Sequence, residues 1–312
     1  ARGNEVLRVL PRLHEGVNEE WISDKTRFAC DGLSRQRLDQ PYIRKADGRL
    51  APTSWQDALA LAADKLKEAG GAKIGAIIGD HASVEAMFAL KGLMDGLGSP
   101  NLDCRQDGSA LDASVAAAYR FNTTIAGIEE ADACLIIGSD PRVEAPVLNS
   151  RLRKRYLEGG FKIGVVGPNN DLTYKYEHLG AGGDTLQQLA DGSHAFCEML
   201  KAAERPMLIL GMGALSRGDG AAVLAAARKI ANDTGMVLDG WNGFNVLHTA
   251  ASRVGGLMVG CLPGDGGKTT KQILDGAKSG DISVVYLLAA DEVDTDQLGN
   301  AFVIYQGHHG DA

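Results

Sequence analysis

Cys134-Leu135-Ile136-Ile137-Gly138-Ser139-Asp140-Pro141 is a short apolar run that ends in glycine and passes directly into a helix start. A strand covered on both faces is apolar throughout, because neither face meets water. The unit recurs. Ile74-Gly75-Ala76-Ile77-Ile78-Gly79 precedes a helical stripe through Met87, Leu90, Leu93 and Leu97. Ile163-Gly164-Val165-Val166-Gly167 precedes a polar loop, and Met207-Leu208-Ile209-Leu210-Gly211 precedes an alanine-rich helix over residues 220–231. Val284-Val285-Tyr286-Leu287-Leu288 follows a helix that ends near Gly280, and Phe302-Val303-Ile304-Tyr305-Gln306-Gly307 reads as one more strand. Strands alternating with helices predict an α/β protein with parallel sheets in two doubly wound layers.

Local chemistry agrees with that pattern. Ser54 can cap a helix with Asp57 at its third position; Ala58, Leu59, Leu61, Ala62 and Leu66 form its apolar stripe, and Gly70-Gly71 stops it. Another helix is predicted from Val143 to Leu157. The first 53 residues read as an extended lead-in, with a polar stretch from Glu15 to Arg37 around Trp21 and Phe28. The final strand has no covering helix before Ala312, so the chain reads as a piece cut inside a domain.

The 312 residues are 45% hydrophobic and 23% charged, enough apolar material for two globular units. A net charge of -8 gives no overall support for nucleic acid or an anionic membrane as partner. No apolar run approaches the roughly 20 residues needed to cross a bilayer, so direct membrane insertion is not expected. The five cysteines, Cys30, Cys104, Cys134, Cys197 and Cys261, stand far apart without a C-x-x-C pair, which reads as reduced thiols and no bound metal.

Ligands of open parallel sheets sit at the carboxyl ends of strands, which directs attention to the turn Gly138-Ser139-Asp140-Pro141-Arg142. A glycine turn entering a helix can offer backbone N–H groups to a phosphate. The same letters are also good helix-start chemistry, with Asp140 as cap, Pro141 at the first position and Glu144 in the first turn, and two carboxylates would repel a phosphate. The helix-start reading is favoured. Gly211-x-Gly213 lacks the third glycine of a dinucleotide fingerprint. Arg151, Arg153, Lys154 and Arg155 form the strongest basic cluster, read as a solvated helix face rather than an anion grip. His308 and His309, adjacent on an extended chain, read as surface residues rather than a metal pair. No catalytic constellation can be assembled from spacing.

Four segments together carry a resemblance: Asn18-Glu19-Glu20-Trp21-Ile22-Ser23-Asp24-Lys25-Thr26-Arg27-Phe28, Asn122-Thr123-Thr124-Ile125-Ala126-Gly127, Asp171-Leu172-Thr173-Tyr174 and Tyr305-Gln306-Gly307-His308-His309-Gly310-Asp311. They resemble the family of large iron-sulfur subunits (75 kDa type) of respiratory complex I, NADH:quinone oxidoreductase. Its body is in turn similar to the molybdopterin oxidoreductases. The resemblance implies two Rossmann-like doubly wound layers of the formate dehydrogenase domain II/III type. One domain would comprise residues 54–105 and 200–312, truncated at its C-terminus; a related one, residues 106–199, would be inserted, and residues 1–53 would follow a missing cluster-binding region.

The resemblance further implies [2Fe-2S] and [4Fe-4S] clusters in the full-length subunit but none in this piece, and other peripheral-arm subunits as partners. It places the chain on the cytoplasmic side of a bacterial inner membrane or on the mitochondrial matrix side. Active molybdopterin enzymes have Cys-x-Lys-Gly where this chain has Ser23-Asp24-Lys25-Thr26, so one cluster ligand and the glycine are replaced. They commonly have asparagine at the position of Asp140, within Gly138-Ser139-Asp140-Pro141-Arg142, and a second pterin segment similar to Gly183-Asp184. Cys104 or Ser109 lies nearest their molybdenum ligand, and a buried spectator thiol is the favoured reading of Cys104. These departures point to a cofactor-free scaffold without molybdopterin; an active molybdopterin-dependent oxidoreductase, or a vestigial nucleotide site, is the alternative.

Overall fold

The computed structural model describes Gly3 and residues 5–310; Ala1, Arg2, Asn4, Asp311 and Ala312 lie outside the described residues. In chain order, a short helix α1 (Asp24–Phe28) is followed by the antiparallel pair β1 (Tyr42–Arg44) and β2 (Leu50–Pro52). Then come α2 (Trp55–Ala69), β3 (Ile74–Ile78), α3 (Val84–Gly96) and β4 (Leu102–Asp103). The middle holds β5 (Ala133–Ile137), α4 (Pro141–Glu144), α5 (Pro146–Leu157), β6 (Lys162–Val166), β7 (Glu177–Gly180), α6 (Gly183–Ala190) and α7 (Phe196–Ala202). It continues through β8 (Pro206–Gly211), α8 (Met212–Leu215), α9 (Gly220–Asp233), the pair β9 (Val237–Leu238) and β10 (Trp241–Asn242), and β11 (Phe244–Leu247). The last elements are α10 (Arg253–Met258), α11 (Thr270–Ser279), β12 (Val284–Leu288) and β13 (Phe302–Gln306).

The chain forms two compact units. One comprises Ala1–Leu7, Cys30–Gly108 and Ala250–Ala312; the other comprises Arg8–Ala29 and Ser109–Thr249. The first contains a parallel sheet in the order β13-β12-β3-β4 and the second a parallel sheet in the order β11-β8-β5-β6-β7. The predicted mixed α/β class with parallel sheets is therefore present. Every residue of β3, β5 and β8 is buried, as their unbroken apolar runs require.

The division expected near residue 200 falls elsewhere. β8 pairs with β5 from Ala133↔Pro206 to Ile137↔Leu210, so the strand at 206–211 belongs to the middle unit, which continues to Thr249. All buried strands look alike in sequence, and which sheet a strand joins is settled by its neighbours. The lead-in is likewise shared, with Arg8–Ala29 in one unit and residues from Cys30 onward in the other.

Helix ends follow the predicted chemistry. The Ser54 hydroxyl accepts the Asp57 amide at 3.0 Å, and Ser83 does the same for Ala86 at 3.3 Å. Thr269 and Gln272 close a capping box on α11, and Gly280 ends that helix at φ 89°, a left-handed angle suited to glycine. The single helix predicted over 143–157 is interrupted at Ala145, because Pro146 brings no N–H and disfavours helical geometry in the residue before it. Glycine within strands permits close helix packing: a Cβ on Gly75 would lie 2.6 Å from Ile273 Cγ2 of α11.

Candidate functional site at the strand ends

In the middle unit the chain runs from β5 outward to β6 and β7, then returns to place β8 and β11 on the other side of β5. The order reverses between β5 and β8, where an open parallel sheet has its ligand crevice. Gly138 and Gly211 end these two strands. Gly138 has φ 59°, and a Cβ there would collide with the Cβ of Ala214 on α8, so only glycine fits the turn.

Several donors of the turn are already used. Ser139 Oγ donates to Glu144 Oε2 at 2.6 Å, and the Asp140 amide donates to Glu144 Oε1 at 3.2 Å. Asp140 accepts the Arg142 amide at 3.2 Å as helix cap, and its other oxygen accepts Nδ2 of Asn170, from the loop after β6, at 2.9 Å. Arg142 Nη1 donates 2.6 Å to the carboxylate and 2.9 Å to the carbonyl of Asp171. Pro141 is buried at the start of α4. The predicted turn residues thus come together as a self-satisfied helix start. Gly183 and Asp184 open α6 on the same carboxyl edge, two strands from β5, and are exposed.

A molybdopterin dinucleotide is anionic, and the residues here do not fit it. Two carboxylates, Asp140 and Glu144, stand at the turn; the Ser139 hydroxyl and the Asp140 amide bind Glu144, and Arg142 is held by Asp171. An anion entering would have to displace an internal anion from those donors and face the second.

In the other unit the reversal lies between β3 and β12, and a Cβ on Gly79 would collide with the backbone of Ala289. Cys104 follows β4 and is fully buried; burial first, and then the Asp103 carboxylate, push its thiol up to about 12. Asp103 grips Arg105 with both oxygens and accepts the Thr270 amide at 3.1 Å. Ser109, the other candidate, is buried in the middle unit. Sequence reasoning missed Arg253. It is completely buried, donates to the Cys104 carbonyl at 3.0 Å, and pairs with Asp107 at 3.0 Å and Asp80 at 3.5 Å. Its signal was an arginine opening an otherwise apolar, glycine-rich stretch, Arg253-Val254-Gly255-Gly256-Leu257-Met258.

The basic cluster on α5 differs from its expected solvated face. Arg151 is 6% exposed; it donates to Glu129 at 2.7 Å and to the Glu15 carbonyl at 2.8 Å, and lies 3.5 Å from Glu19. Lys154 bridges Glu19 and Glu129 at 2.8 and 3.0 Å. Both cations hold the lead-in to the middle unit. In that lead-in Ser23 caps α1 by accepting the Thr26 amide at 3.2 Å, and Lys25 is exposed. His308 and His309 lie beyond β13, so strand alternation does not separate them: their Nδ1 atoms are 2.5 Å apart, and His309 Nε2 is 3.0 Å from the Gly32 carbonyl. Among the described residues no group of three or more His, Cys, Asp or Glu is placed to hold a metal ion.

A family model described as molybdopterin oxidoreductase matches residues 37–312. The chain belongs to the molybdopterin oxidoreductase family. A second model, described as the 4Fe-4S domain of NADH-ubiquinone oxidoreductase NDSU1/NuoG-like proteins, matches residues 1–31 of this family member. The lead-in, expected to follow a cluster-binding region, is thus itself matched by a cluster-domain model. Over all of its length the chain is 48% identical to the G-type subunit of NADH-quinone oxidoreductase from Rickettsia bellii, covering 44% of that relative. It is 45% identical to the mitochondrial NADH dehydrogenase [ubiquinone] iron-sulfur protein 1 of Solanum tuberosum, covering 41% of it. The resemblance to the complex I large iron-sulfur subunit therefore holds across the chain, which spans less than half the length of these relatives. Among the described residues no helix is long and apolar enough to cross a membrane.

Proposed function

We propose that this chain is the body of a complex I large iron-sulfur subunit, retained as a cofactor-free scaffold. The observation that carries the reading is the strand-end turn, where Glu144 occupies the Ser139 hydroxyl and the Asp140 amide, two donors that face the place an anionic cofactor would take. The segments of family resemblance support it through their structural use. The Tyr174 hydroxyl donates to Asn149 Oδ1 at 2.9 Å, while Asn149 Nδ2 donates to the Leu172 carbonyl at 3.1 Å. Buried Asn245 accepts the Thr123 amide at 2.9 Å, and Glu19 anchors Lys154. The family match alone would suit a working pterin enzyme, but Asp140 and Glu144 weigh against it.

In this reading each unit is Rossmann-like, in the manner of formate dehydrogenase domains II and III, and the reversal of strand order in both sheets supports that layout. Clusters held elsewhere in the full-length subunit relay electrons from NADH toward quinone. This body contributes packing surface for other peripheral-arm subunits, on the cytoplasmic side of a bacterial inner membrane or on the matrix side in mitochondria. It contributes no bond-making residue, and Cys104 is a spectator.

The test is the metal and pterin content of the purified full-length subunit, by elemental analysis and fluorescence of oxidised pterin. Iron without molybdenum, tungsten or pterin is the expected result. Stoichiometric pterin with either of the other metals overturns the reading and makes Gly138–Arg142 the first segment to mutate.

A further inference from the structure

His308 and His309 stand just beyond the carboxyl end of β13, on backbone clamped by an earlier segment of the same unit. The Leu38 amide donates to the His308 carbonyl at 3.1 Å and the Gly310 amide to the Gln36 carbonyl at 3.0 Å, while Arg37 and His309 form an antiparallel bridge. The two rings meet edge to face, with centroids 4.6 Å apart and an interplanar angle of 77°. Their Nδ1 atoms converge at 2.5 Å, and His309 Nε2 lies 3.0 Å from the Gly32 carbonyl. A carbonyl oxygen only accepts, so His309 Nε2 carries a hydrogen and, in the neutral ring, Nδ1 keeps a bare lone pair. His308 Nδ1 therefore supplies the hydrogen between the two rings. One ring nitrogen fixed by a backbone carbonyl, with the other bare, is the arrangement of a metal-ligating histidine.

We propose that His308 and His309 form a two-imidazole site for a divalent late first-row metal ion, the class that imidazole nitrogen favours, with zinc as the probe. The ion takes the place of the bridging hydrogen and accepts the lone pairs of both Nδ1 atoms. The His308 hydrogen moves to its Nε2, so each neutral ring still carries one proton. At zinc–nitrogen distances of about 2.0–2.1 Å and a tetrahedral angle, the two Nδ1 atoms stand about 3.3 Å apart, a separation that rotation of the side chains supplies. His308 is exposed and His309 half-buried, so the ion is reached from solvent. Water completes its coordination, because among the described residues no group of three or more His, Cys, Asp or Glu is placed to hold it. The charged neighbours of His308 are mixed, with Asp291 favouring positive charge and Arg37 and His81 opposing it, which suits an exchangeable ion. Bound there, the ion braces a dipeptide whose His309 ring is tied to Gly32, and so fastens the 30–38 segment to the end of β13. The proposal is independent of the scaffold reading, since the ion replaces neither pterin nor cluster.

The test is a zinc titration of the full-length subunit with its clusters oxidised and a competing chelator present, joined to zinc K-edge absorption, which reports the ligand atoms. Zinc held by nitrogen and oxygen is expected. His308→Gln and His309→Gln should each weaken it at least about tenfold, the loss brought by removing only a group that orients a ligand. Glutamine at 309 keeps an amide donor for the Gly32 carbonyl, so the clamp on the backbone is retained. His81→Gln, at an exposed imidazole after β3, is the control and should keep the affinity. Zinc should also raise the melting temperature of the wild type and of His81→Gln, and of neither other variant. Sulfur ligands alone place the ion on cysteines and overturn the proposal. So does a loss in only one of the pair, which leaves a single imidazole, or in neither, which leaves an adventitious ion only.

Discussion

Ser139 and Glu144 are five residues apart, and their side chains meet in a 2.6 Å hydrogen bond that closes the turn at the carboxyl end of β5. The other Glu144 oxygen takes the Asp140 amide, so a single carboxylate satisfies both donors. Glu144→Ala is expected to lower stability by about 1–2 kcal/mol, the usual cost of removing a cap or stranding a partly buried donor. Glu144→Gln, which keeps an acceptor oxygen, should lose less. Urea midpoints of the two variants against wild type decide this, and equal losses would contradict the hydrogen-bonding role.

Arg151 organises the lead-in from beneath. Replacing it by methionine removes the guanidinium while Glu129 and Glu19 remain. A fully buried pair broken this way loses about 3–5 kcal/mol, and since both glutamates are partly exposed a loss of about 2–3 kcal/mol is expected. Limited proteolysis should then cut within residues 8–29 earlier than in wild type. Arg151→Lys keeps the charge but not the two-sided reach, and should fall between.

Gly138 has no room for a side chain. Gly138→Ala combines a left-handed φ with overlap on Ala214, which predicts a loss of about 2–4 kcal/mol from conformational strain and overpacking together. Gly92, exposed on α3 with open space around it, is the control, where alanine should be neutral or stabilising. Thermal melts of both variants check the pair.

The buried thiols predict alkaline sensitivity. Burial raises Cys104 to about 12 and Cys261 to about 11 from an ordinary 9.0. The native state keeps protons that the unfolded chain gives up, so this contribution is whole below pH 9.0 and falls as pH rises toward those values. The slope is about 1.4 kcal/mol per pH unit for each thiol. Unfolding free energies at pH 8 and pH 10 test the sign, and Cys104→Ala should flatten the dependence. Iodoacetamide should leave Cys104 unmodified at pH 8 until the protein unfolds.

Much of the fold was legible because its signals are local. Ser54, Ser83 and Gly280 mark helix ends by hydrogen bonds to atoms within a turn, and the apolar runs of β3, β5 and β8 report burial on two faces. β7 escaped because it is a short edge strand of polar and half-exposed residues, and β11 because Phe244–Leu247 contains Asn245, whose burial is compensated by Thr123 far away in the chain. The turn at Gly138 was legible in its letters, and its carboxylates already argued against an anion.

The sequence by itself determined the class, the helix caps, the family resemblance and the acidic character of the strand-end turn, since each rests on neighbours within a few residues or on the letters themselves. Tertiary structure alone decided that β8 lies beside β5, that Arg151 and Arg253 are buried rather than solvated, and that His309 meets the Gly32 carbonyl. Those outcomes depend on partners distant in the chain, whose charges and surfaces are brought together only when the sheets have assembled.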